Sequence, residues 1–137
     1  MSNTISLPEA FRQSAEEILA RLLDNTQGAY GVVLATIDGH ALLHAARTDL
    51  PADRIAAMTS SLVSLGETIA HEANQQKCRF VIVENSDGYV VTLRISSRLT
   101  LSSFAGNDTN LGMLLSATRS ASEALGKAAR QPSETAQ

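Results

Sequence analysis

A chain of 137 residues, 44% hydrophobic and 18% charged, is sized for one globular domain and is too apolar to be intrinsically disordered. The net charge of −3, the absence of any Lys/Arg cluster and the 4% aromatic content argue against nucleic-acid binding, which needs neutralised phosphates or stacking platforms. One cysteine, Cys78, excludes an internal disulfide. Ser6-Leu-Pro-Glu9 has capping-box spacing with Pro8 in the first turn, so a first helix is expected from near Ser6 to near Asn25. Its apolar stripe is Phe11, Ala15, Ile18 and Leu22, widened by Leu19 and Leu23. Tyr30 to Ile37 is a nearly continuous β-prone run, as in a strand covered on both faces. Asp38-Gly39 then turns it into a second strand, Ala41 to Arg47.

After a short loop, Thr48 to Pro51, a long helix is predicted over Ala52 to Asn74. Arg79 to Glu84 reads as a third strand, and Asp87-Gly88 turns it into a fourth, Tyr89 to Ile95. Leu99 to Ala105 completes a meander. Asn107 or Asp108 can cap a last helix whose shared face is Leu111, Leu114, Thr118, Ala121 and Leu125. The resulting organisation is an N-terminal extension with helix cap (1–9), a domain over 10–129 and a polar, unstructured tail (130–137). The hairpins make the sheet largely antiparallel, an α+β arrangement.

Catalytic signals are thin. His40, His44 and His71 lack metal-ligand spacing, and Gln75 stands where a second zinc-binding histidine would follow His71-Glu72. There is no nucleophile elbow and no phosphate loop; Gly28-Ala-Tyr-Gly31 precedes a strand and serves as a connector. Lys77 and Arg79 flank Cys78 and could lower its thiol pKa, against the simpler reading of an inert cysteine. No catalytic residue, metal or cofactor is expected. Met1 to Leu7 carries no signal-peptide pattern, and no apolar run approaches the roughly 20 residues of a membrane span, so a cytoplasmic protein without membrane insertion is expected.

Two features stand out. On the long helix, Ile55, Met58, Leu62, Leu65 and Ile69 form a seam of large residues suited to the sheet. Beside it runs a second series of mostly small residues, Ala52, Ala56, Thr59, Val63, Gly66, Ala70 and Ala73. That series either presents Ala56, Thr59, Val63, Gly66 and Ala70 to a partner helix or sits tight against the sheet. Ser60, Ser61, Ser64, Glu67, Thr68, His71 and Glu72 supply the polar side. The other feature is Phe80-Val-Ile-Val83, which lacks polar alternation. At a sheet edge it would be a sticky template, satisfied by pairing with its twin across a two-fold axis; in mid-sheet it would be ordinary core.

With this order of elements the chain resembles the roadblock family of dynein light chains and their bacterial relatives. The likeness runs from about Ala10 to Ala129. It is carried by the leading helix, Gly28-Ala-Tyr-Gly-Val-Val-Leu-Ala-Thr-Ile-Asp-Gly39, the long second helix, Arg79-Phe-Val-Ile-Val-Glu-Asn-Ser-Asp-Gly-Tyr-Val-Val-Thr-Leu93, Leu99-Thr-Leu101 and the closing helix. The resemblance implies a profilin-like (roadblock/longin-type) five-stranded antiparallel sheet, in the order helix, two strands, helix, three strands, helix. The middle helix lies on one face and the terminal helices on the other.

The resemblance also implies a homodimer paired through the third strand, placing Cys78, Phe80, Val81, Ile82, Val83 and Glu84 at the interface. The paired middle helices would form a platform for a small Ras-like GTPase, and some bacterial members stimulate its hydrolysis. No dedicated arginine finger is implied, which leaves Arg47, Arg54, Arg79, Arg94 and Arg98 as surface or interface charges. The expected function is therefore a non-enzymatic regulator or scaffold for such a GTPase. The alternatives are a structural adaptor in a motor, signalling or filament assembly without GTPase contact, and a ligand-binding sensor.

Overall fold

A computed structural model describes residues 7–130. In chain order the elements are α1 (Glu9–Asn25), β1 (Ala29–Thr36), β2 (Ala41–Ala46), α2 (Ala52–Glu72), β3 (Val81–Asn85), β4 (Gly88–Arg94), β5 (Leu99–Gly106) and α3 (Leu111–Arg130). The strands form one five-stranded sheet in the order β2-β1-β5-β4-β3, with every neighbouring pair antiparallel. The α+β class, the element order and the antiparallel sheet are as the sequence predicts.

Each strand in the centre of the sheet divides its side chains between two layers, because successive residues point to opposite faces. Val32 and Leu34 of β1 join Leu101 of β5 in a cluster with Leu19 and Leu22 of α1 and Leu125 of α3. Val33 and Ala35 turn the other way, toward Phe104 of β5 and Ala56 of α2. The terminal helices thus share one face and α2 covers the opposite one. Dual coverage explains why β1 is apolar along its length.

Several ends differ from expectation. α1 begins at Glu9, with extended Pro8 (ψ 141) before it offering its carbonyl to Arg12 N–H at 2.9 Å. The Ser6 cap lies outside the described residues, as does 131–137. α3 is capped by Asn110, whose Oδ1 accepts the Met113 N–H at 3.0 Å, and not by Asn107 or Asp108. Those two sit in the preceding turn, where Asn107 donates its amide to the Ser86 carbonyl. α2 stops at Glu72: Asn74 takes a left-handed φ of 57, Gln75 N–H reaches Ala70 O and Asn74 N–H reaches His71 O. This is a Schellman ending, with Asn in the place usually held by Gly.

Candidate protein-interaction site

The outer surface of α2 and the neighbouring edge strand β3 form the candidate site. α2 is turned about its axis relative to the expectation of a large-residue seam on the sheet. Ala56, Thr59, Val63 and Ala70 are buried against the sheet, while Met58, Leu65 and Ile69 are 59%, 56% and 58% exposed. Four of the five small-stripe residues are therefore core, and the assignment of that stripe to a partner is corrected. The fifth, Gly66, faces the Cys78 and Val81 side chains.

The reason is the thickness of the layer. The sheet face under α2 carries Thr92, Thr100 and Ser102 between its apolar residues, all buried. Thr92 Oγ1 and Ser102 Oγ lie 2.8 Å apart in a hydrogen bond. α2 settles close on this short-side-chain surface. At the β1–β2 turn, a Cβ on Gly39 would stand 3.3 Å from Ala57 Cα and 3.2 Å from Ser60 Oγ, and φ there is +101. Short side chains suit the helix where it comes this close. Thr59 and Ser60 fit there because each hydroxyl donates back to its own helix, to Ile55 O at 2.8 Å and Ala57 O at 3.0 Å. Ser60 and Glu67 thus leave the polar side expected of them. The Glu67 carboxylate meets Arg94 of β4, whose Nε and Nη2 donate at 2.6 and 2.8 Å.

What remains outside is Met58, Leu65 and Ile69, with half-buried Leu62 between them, at steps of four, three and four along one helical face. Covering a half-exposed side chain of this size contributes about 1 kcal/mol. Ile69 shares a groove of about 610 Å³ with Cys78, Val81 and Ile82, which ties the stripe to the edge strand. On the other flank Leu65 borders Ile37 and Asp38.

β3 occupies the sheet edge, the first of the two positions the sequence left open. Its ladder with β4 runs from Val81↔Thr92 to Asn85↔Gly88, so Cys78 and Phe80 precede the strand proper. Among the described residues, one side of its backbone has no strand beside it. Ile82 is 42% exposed. Phe80 is held by the domain itself, packed against the core with the Arg119 guanidinium 5.1 Å from its ring centre.

The site carries little chemistry. Burial, reinforced by the Glu67 charge, pushes the Cys78 thiol upward despite its hydrogen bond to the Phe80 carbonyl, which disfavours the reactive thiolate. His40, His44 and His71 are all exposed. Among the described residues no group of three His, Cys, Asp or Glu side chains could hold a metal ion. No helix among them is long and apolar enough to cross a membrane.

The Roadblock/LC7 domain model matches residues 15–102, which includes all of α2 and β3. This chain belongs to the Roadblock/LC7 family. The roadblock domain superposes on the gliding protein MglB of Thermus thermophilus with a TM-score of 0.85 at 19% identity, covering 96% of this chain and 100% of that one. Against MglB of Myxococcus xanthus the TM-score is 0.80 at 21% identity, covering 90% and 92%. Profilin II of Acanthamoeba castellanii shares the outline more loosely, with a TM-score of 0.59 at 13% identity over 80% and 94%. No curated protein sequence matches this roadblock domain.

Proposed function

We propose that the chain acts in the cytoplasm as a homodimeric, non-enzymatic regulator or scaffold for a small Ras-like GTPase. The observation that carries this reading is the contact between an open sheet edge and an exposed aliphatic stripe on the neighbouring helix. Pairing β3 with its twin would satisfy the edge backbone. It would also bring the Ile69 side of α2 toward the second copy, covering apolar surface in the same step. Met58 and Leu65, further round the helix, would remain as the platform for the GTPase.

Membership of the roadblock family supports this division of labour, since the resemblance implies strand-paired dimers and GTPase-binding helices. An aliphatic stripe offers no charge to a phosphoryl-transfer transition state. Any stimulation of hydrolysis would therefore come from ordering the partner's own groups.

The test combines the purified chain with Ras-like GTPases of the same genome. A complex is expected by size-exclusion chromatography with light scattering, and Leu65→Asp should abolish it while leaving the dimer intact. If no such GTPase forms a complex or hydrolyses GTP at a changed rate, the reading fails.

A further inference from the structure

Among the described residues, a second open surface lies across the sheet from α2. A cavity of about 870 Å³ opens between α1 and α3, at the end where α1 begins and α3 finishes. A smaller one of about 230 Å³ shares Ile18, Arg21 and Ala124 with it, so the two form one trough. It follows α3 from Ala117 to Arg130, roughly 20 Å at the helical rise per residue. Phe11 and Ile18 of α1 and Leu99 of β5 supply its apolar wall. Ala117, Ala124 and Ala128 offer only methyl groups along α3, which leaves the space between the helices open.

The rim is opposite in sign to the protein. Arg21, Arg98, Lys127 and Arg130 line it against one carboxylate, Glu17, in a chain of net charge −3. Among the described residues none of these four cations is in an ion pair. Small-molecule sites enclose most of their ligand. A long trough, open along one side, with an apolar floor and charged banks instead has the form of a helix-receiving groove.

We infer that the trough receives an acidic amphipathic helix from a partner protein. The apolar side chains of that helix lie against Phe11, Ile18 and Leu99, and its carboxylates face the four cations. α2 lies across the sheet from the trough, so if a GTPase docks on α2 as proposed, the trough stays free for this partner.

The probe is a fluorescein-labelled, end-capped peptide of about 18 residues, long enough to hold a helix, with leucines on one face and glutamates on the other. Titration with the full chain should give saturable anisotropy that weakens with salt. Joint Arg98→Glu and Lys127→Glu substitution, or Ala124→Trp to fill the trough, should weaken it about tenfold, with thermal melts reporting that the fold persists. The charge-reversed variant should prefer the same peptide carrying lysine for glutamate, and Leu65→Asp should leave binding unchanged. Failure to bind, equal binding of a scrambled or lysine peptide, or indifference to both trough variants would overturn the inference. So would binding of phosphatidylglycerol vesicles with no binding of the peptide.

Discussion

Gly66 stands where α2 passes the approach to β3, and a methyl group there would lie 2.8 Å from Cys78 Sγ and 2.9 Å from Val81 Cγ2. The helix keeps a residue that costs about 1 kcal/mol relative to Ala because the backbone needs this closeness. Gly66→Leu should destabilise the domain by about 1–3 kcal/mol through overpacking, read as a lower urea midpoint. An unchanged midpoint would mean that α2 lifts away from β3 freely. One residue along, the hydrogen bonds from Arg94 hold the Glu67 carboxyl below its usual range. A carboxylate with a lowered folded pKa stabilises the fold above the ordinary value of 4.5 and loses that contribution as pH falls through the folded value. Both side chains are partly exposed, so Glu67→Gln should cost under about 1 kcal/mol at neutral pH. Its stability should fall less steeply than the parent's between about pH 5 and pH 3. Parallel pH profiles in urea unfolding would contradict this account.

At the scale of elements, α2 and β3 make separable claims. Ile69→Asp or Ile82→Asp puts a charge where an interface would bury it, and should leave monomers in light scattering while far-UV dichroism is kept. A dimer that survives both substitutions would rule out pairing through β3. The two stripes of α2 were legible as periodicities, but not which of them meets the sheet. Hydrophobic size pointed to Met58, Leu65 and Ile69 as core, whereas the thin hydroxyl-lined layer selects Ala56, Thr59 and Val63. A usable signal was present: Thr59, Ser60 and Gly66 clustered on one side of a helix fit a close contact better than an open face. For β3, the missing polar alternation left both edge and mid-sheet open, and only the strand order places it at the edge, with Val81 turned to α2 and Ile82 exposed.

Across the whole molecule, element order and hairpins followed from the Asp38-Gly39 and Asp87-Gly88 turns and from the apolar runs between them. The two-layer arrangement was implied by the resemblance, and the doubly apolar β1 agrees with it. The trough between α1 and α3 was not legible, since its cations come from three separate segments and meet only in the folded chain. The far edge of the sheet carries a different consequence. In β2, Leu42 is an extra residue between the Leu34↔Leu43 and Ala35↔Ala41 pairs, a bulge on the edge strand itself. Just beyond that strand, Arg47 is tied to Asp24 and to the Leu23 carbonyl at the end of α1. Bulges twist an edge away from strand addition. If β3 pairs with a second copy as proposed, the bulged β2 edge at the far side would be the poorer template for a further strand, which would favour closure at two chains over a fibre.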